Sequence, residues 1–119
     1  YRVFPESGIV QVPAHLSDVQ AATLPCAALT AWSALVTHDR LGPGSKVLVQ
    51  GTGGVALFAL QFAKLLGAHV TVISSSDDKI ARARAMGADA AINYVKVPEW
   101  YKATRDITGG RGYDHIVEL

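Results

Sequence analysis

The segment Lys46-Val-Leu-Val-Gln-Gly-Thr-Gly-Gly-Val-Ala56 constrains this chain more than any other stretch of it. An aliphatic run of strand length leads directly into glycines and then into a long apolar helix. Gly51, Gly53 and Ala56 take the first, third and sixth places of G-x-G-x-x-G/A, a pattern that cradles a dinucleotide pyrophosphate. The chemistry needs these residue types. Gly51 permits a tight turn, Gly53 lets backbone approach the phosphates with no Cβ in the way, and Ala56 lets the helix pack close to the strand. The first residues of that helix aim free N–H groups and the positive end of its dipole at the anion. On this reading Gly51, Thr52, Gly53, Gly54 and Val55 form the phosphate side of a cofactor site.

The continuation fits. The helix runs through Gln61 to Leu66 and is capped by Gly67, and His69–Ile73 alternates and branches like a second strand. A second helix is predicted over Asp77–Met86, with Ile80, Ala83 and Met86 at helical spacing and Gly87 as its cap. Ala90–Asn93 reads as a third strand. Pro98 to about Ile107 reads as a helix burying Trp100, Ala103 and Ile107, and His115–Val117 as a fourth strand. Strands alternating with helices at this spacing imply parallel βαβ units and a doubly wound α/β sheet of Rossmann type, about four strands in the order 3-2-1-4.

Upstream, Ser17 and Gln20 have capping-box spacing for a short helix through Thr23. Pro25 suits the first turn of another helix, which carries Leu29, Trp32 and Val36 on one face and ends before Leu41-Gly-Pro-Gly44. Hydrophobic residues at 50% and charged ones at 18% are enough for one globular core. A net charge of +1 gives no reason to expect nucleic acid or an anionic membrane as partner. The longest uninterrupted apolar run, Val55–Leu60, is far shorter than a membrane span, and one cysteine suits a reducing cytoplasm. The opening on Tyr1-Arg-Val-Phe-Pro5 and the stop at Leu119 after a fourth strand lead us to expect further sequence on both sides.

Taken in order, several segments resemble the medium-chain dehydrogenase/reductase superfamily, in its quinone-oxidoreductase-like and zinc-type alcohol dehydrogenase-like branch. They are Leu24-Pro-Cys-Ala-Ala-Leu-Thr-Ala-Trp32, Pro43 to Ala56, Ser74-Ser-Ser-Asp-Asp-Lys79, Met86-Gly-Ala-Asp89, Ile92-Asn-Tyr94 and Gly109 to Glu118. The resemblance implies a GroES-like catalytic domain followed by a Rossmann domain. Residues 1–16 would be the tail of the first, and residues 17–119 the beginning of the second. It also implies a homodimer in the full-length protein and a small-molecule substrate bound between the domains.

An NAD site wants Asp or Glu about twenty residues past the glycines, where it binds the ribose 2′-hydroxyl. Ser74 stands there, followed by Ser75 and Ser76, and hydroxyls donate to a 2′-phosphate that a carboxylate would repel. Lys79, one turn on, supplies a countercharge, and the resemblance implies phosphate-binding roles for Lys79 and Tyr94. The expected cofactor is therefore NADP(H) rather than NAD(H). The same residues admit a plainer reading: Ser76, Asp77 and Asp78 as N-terminal residues of the next helix, Lys79 and Arg82 as its solvated face, and Tyr94 as packing at a strand end.

The scattered His15, His38, His69 and His115 lack metal-ligand spacing and read as surface or packing residues. By resemblance, Thr30 would lie against the nicotinamide ring and position it. Cys26, four residues before it, holds the place of a catalytic zinc ligand in zinc-type relatives. The context Leu-Pro-Cys-Ala is closer to the zinc-free branch, and a lone cysteine is also a small hydrophobe. The implied activity is hydride transfer from NADPH to a quinone, an enone or a small carbonyl. The alternatives are a zinc-dependent alcohol dehydrogenase and a nucleotide-binding member of the superfamily without turnover.

Overall fold

The computed structural model describes residues 2–38 and 40–118; Tyr1, Asp39 and Leu119, and with them the two end residues on which the expectation of further sequence drew, lie outside the described residues. Four parallel strands, β1 (Lys46–Gln50), β2 (His69–Ser74), β3 (Ala90–Asn93) and β4 (His115–Val117), form one sheet in the order β3-β2-β1-β4. This is the Rossmann order expected from the alternation of elements. The register aligns Val47 with Val70 and His115, and Val49 with Val72 and Val117. Because side chains alternate across a strand, the valines share one face, and Leu48, Thr71, Ile73 and Ile116 share the other.

The valine face is covered by α3 (Gly54–Leu65) and α4 (Asp77–Ala85). Both crossovers step the same way across the sheet, and right-handedness puts both helices on one side. The helix α5 (Trp100–Ile107) belongs to the return crossover from β3 to β4 and packs on the opposite face, where Trp100 and Thr104 line a cleft with Leu48 and Ile116. The core is α3 against the sheet: Ala56, Ala59, Leu60 and Ala63 meet Val47, Val49, Val70 and Val72, all of them buried. The small side chains on α3 permit the close approach, and Leu60 alone contributes roughly 1.5–3 kcal/mol by burial. Asp89, just before β3, ties the layers together: its carboxylate accepts from the Val70 N–H at 2.6 Å and from Lys64 Nζ on α3 at 2.8 Å.

The N-terminal part begins with α1 (Asp18–Ala21), closed by the expected capping box: Gln20 N–H donates to Ser17 Oγ at 3.3 Å and Ser17 N–H to Gln20 Oε1 at 2.9 Å. The next helix differs from expectation. A short α-helical centre, α2 (Leu29–Trp32), is flanked by wider π-type turns at Leu24–Ala28 and Ser33–Thr37. Leu29, Trp32 and Val36 are not its buried face. Leu29 and Trp32 are exposed and Val36 only half-buried, while Ala28, Ala31 and Leu35 are buried. The helix leans on α3 at these small residues, and Trp32 meets Phe62 edge-to-face at 5.4 Å.

The helical stretch Asp18–Thr37 has the length and mean hydropathy, 1.4, of a membrane span, although the sequence contains no uninterrupted apolar run of that size. Part of that apolarity is used in contact with α3. The buried position on α5 is Thr104, with Thr108 buried just after the helix; Trp100 and Ala103 are half-buried, and Ile107 is exposed rather than buried as expected. Met86 closes α4 as an exposed cap residue, while Ala83 carries the buried contact.

Candidate functional site

A parallel sheet brings the carboxyl ends of its strands to one edge, and the loops leaving them build the site. Here β1 ends in the glycine turn, β2 in Ser74 and β3 in Asn93. Gly51 has φ +97°, a conformation that side-chain-bearing residues rarely adopt, and its N–H donates to the Ile73 carbonyl at 2.8 Å. This bond stitches the turn to the end of β2. Thr52 Oγ1 and Ser74 Oγ lie 3.1 Å apart in a hydrogen bond, a second stitch between the same segments.

Gly53 is the residue before α3, with φ −76° and ψ −178°. It offers no side-chain cap, so the first N–H groups of a twelve-residue helix remain free for an anion. A Cβ built on Gly53 meets nothing within 4 Å. The space over the turn is open, which suits a bound phosphate.

These segments enclose a cleft of about 230 Å³ lined by Gly51, Thr52, Gly53, Ser74, Ser75, Lys79 and Tyr94. All seven were selected from the sequence, and the fold brings them together from the glycine turn, the end of β2, the start of α4 and the residue after β3. Gly54 and Val55 follow on the first turn of α3. Tyr94 is held at the rim by its N–H, which donates to the Ser74 carbonyl at 3.1 Å.

The lysines of the described residues are employed unevenly. Lys46 donates to the Thr108 carbonyl, Lys64 pairs with Asp89, Lys96 with Asp77 and Lys102 with Glu99, whereas Lys79 has no hydrogen-bond or ion-pair partner among the described residues. Asp77 does not cap α4 from a free position: its carboxylate takes Lys96 Nζ at 2.5 Å and Asn93 Nδ2 at 2.7 Å. Lys96, and then Asn93, hold the Asp77 carboxyl below its usual range. Ser76, the residue before α4, makes no capping bond with its side chain.

A second cleft of about 350 Å³ continues along the strand ends, sharing Gly51 and Tyr94 and adding Gln50, Ile73, Trp100 and Glu118. Gln50, Trp100 and Glu118 were missed in the sequence. Gln50 and Glu118 each follow or finish a strand at its carboxyl end, and that position was the available signal.

Cys26 and Thr30 are not part of this crevice. Both are exposed, and Cys26 lines a separate, mostly apolar groove with Gly54, Leu57, Phe58 and Met86. The expectation of a cysteine behaving as a buried hydrophobe is therefore replaced by an accessible thiol. No group of three His, Cys, Asp or Glu among the described residues is placed to hold a metal ion.

Residues 54–119 match the zinc-binding dehydrogenase family. The chain belongs to that family. It is thus a member of the medium-chain dehydrogenase/reductase superfamily of oxidoreductases, as its motifs resembled. It is 49% identical over its whole length to a zinc-type alcohol dehydrogenase-like protein of Schizosaccharomyces pombe, of which it covers 35%. Among solved structures it superposes on an NAD-dependent alcohol dehydrogenase with a TM-score of 0.88 at 42% identity, covering 95% of this chain and 33% of the other. It also superposes on the quinone oxidoreductase of Thermus thermophilus, determined with and without NADPH, with a TM-score of 0.80 at 36% identity, covering 97% and 37%. The chain spans about a third of the length of these relatives.

Proposed function

We propose that this chain supplies the cofactor half of an NADPH-dependent oxidoreductase that transfers a hydride to a quinone, an enone or a small carbonyl compound. The observation that carries the reading is the cleft where the glycine turn, Ser74 and the unpaired Lys79 converge, with no carboxylate at the end of β2. In it the N–H groups opening α3 hold the pyrophosphate, while Ser74 and Ser75 donate to the 2′-phosphate. Lys79 neutralises that phosphate, and Tyr94 closes over it. The nicotinamide supplies the hydride chemistry; the protein's part is to fix the distance and angle of transfer. Thr30 would position the ring from the α2 side.

The same reading makes the full protein a two-domain cytoplasmic homodimer, with residues 1–16 ending the catalytic domain and residues 17–119 opening the Rossmann domain. A second reading, an NAD-dependent zinc alcohol dehydrogenase with Cys26 as a metal ligand, draws on the exposed thiol and on the alcohol dehydrogenase relatives.

Calorimetric titration of the full-length protein with NADPH and NADH tests the choice. The expected result is NADPH binding at least about tenfold tighter, a difference of 1.4 kcal/mol. That preference should be lost in Ser74→Asp and reduced in Lys79→Ala. Equal affinities, or tighter NADH, would transfer the weight to the second reading.

A further inference from the structure

Lys79, the cation in the lining of the cleft, directly follows two carboxylates on α4. Asp77 and Asp78 open α4 two and one residues before Lys79, beside Ser75 and Ser76. An uncompensated carboxylate there would oppose a dianionic 2′-phosphate and compete for the lysine. Asp77, unlike Asp78, is held from the other side. Lys96, in the turn after β3, and Asn93, the last residue of β3, grip its two carboxylate oxygens at 2.5 and 2.7 Å. Asn93 is braced in turn: its side-chain oxygen accepts from the Val95 N–H at 3.0 Å, and its backbone carbonyl from the Val97 N–H at 2.9 Å. The gripping turn is also the one that carries Tyr94 to the rim of the cleft.

We propose that Lys96 and Asn93 are positioning residues for cofactor choice, acting through Asp77: by neutralising that carboxylate and holding it to the end of β3, they remove one of the two carboxylates that would compete with the 2′-phosphate for Lys79. The inference rests on the NADPH reading above and names what sustains it. The Lys96–Asp77 pair is exposed, with side-chain accessibilities of 68% and 57%, so it adds little to stability. Its effect falls on the field in the cleft.

The test uses the full-length protein and calorimetric affinities for both nucleotides. Lys96→Ala is expected to weaken NADPH about tenfold and NADH less than about twofold, with the difference shrinking at high salt. Its melting temperature should stay close to that of the parent. Lys96→Arg restores the preference, and so does adding Asp77→Asn to Lys96→Ala, because the liability is the charge on Asp77. A structural role for Lys96 would not be rescued by removing its partner. An unchanged NADPH-to-NADH ratio in Lys96→Ala, or a double variant as weak as the single one, overturns the proposal. Should the parent protein prefer NADPH while Lys96→Ala keeps that preference, only the clamp fails; should the parent show no preference, the reading of the cleft fails and the clamp with it.

Discussion

Replacing Gly51 and Gly53 separately by alanine divides what the turn does for the fold from what it does for a ligand. Neither added methyl would meet a protein atom within 4 Å, so steric clash with the chain is not at issue in either case. At Gly51 the cost is torsional. With φ at +97°, a Cβ-bearing residue costs about 1–3 kcal/mol, and the Gly51 bond to Ile73 holds the backbone where the strain arises. At Gly53, φ −76° and ψ −178° suit any residue. Alanine there loses a little capping preference and restricts the unfolded chain by a similar amount, so stability should change by less than about 0.5 kcal/mol. On the proposed reading its methyl would stand between the backbone and an incoming pyrophosphate, and NADPH affinity should fall at least about tenfold, or 1.4 kcal/mol. Urea unfolding of the full-length protein reads the first quantity and calorimetry the second. Equal losses of stability in Gly53→Ala and Gly51→Ala, or NADPH binding by Gly53→Ala close to the parent's, would overturn this division of roles.

Two further outcomes concern the fold itself. Leu60 is fully buried where α3 presses on the sheet, so Leu60→Ala should cost about 2–5 kcal/mol in urea unfolding; a loss under about 1 kcal/mol would mean the small-residue interface closes around the gap. Asp114 takes both Arg111 guanidinium nitrogens at 2.8 Å and the Lys46 N–H at 2.7 Å, and these lower its carboxyl to about 2. A lowered value favours the folded state above the ordinary carboxyl range and loses that contribution as pH falls from about 4 toward 2. Asp114→Asn should therefore flatten the acid dependence of the unfolding midpoint in that window relative to the parent, and parallel curves would show that the ion pair is not coupled to folding.

The strands and their order were legible because a buried parallel sheet writes short aliphatic runs between glycines, and those survive without knowledge of the partner. The cleft was legible for the same reason: its residues sit at strand ends and turn positions where few residue types serve. Helical faces were less so. Around Leu29 the sequence pattern assumes 3.6 residues per turn, whereas the π-type turns on either side, with His38 N–H reaching the Ser33 carbonyl, shift the phase. The buried face there also consists largely of alanine, which gives close approach to α3 but little hydrophobic signal. On α5 and at its cap, Thr104 and Thr108 donate to the Tyr101 and Arg105 carbonyls, so their hydroxyls are satisfied and can be buried while Ile107 is exposed. The Asp77 clamp could not be found by spacing at all, since its members come from two segments whose approach depends on the β2–β3 pairing.

The pairing of β4 with β1 bears on how this architecture assembles. The bond from Lys46 to Asp114 joins residues 68 apart, whereas β1 meets β2 and β2 meets β3 across much shorter stretches of chain. Closing the larger loop costs more entropy, and a strand of three residues returns the fewest bonds for it. The β1-β2-β3 unit is therefore able to form first around α3, with β4 docking on a sheet that already exists. That docking adds Val117 to the core beside Val47 and Val49. Glu118, at its exit, lines the crevice along the strand ends, so this long-range pairing also completes the edge at which, on the proposed reading, a nucleotide would enter.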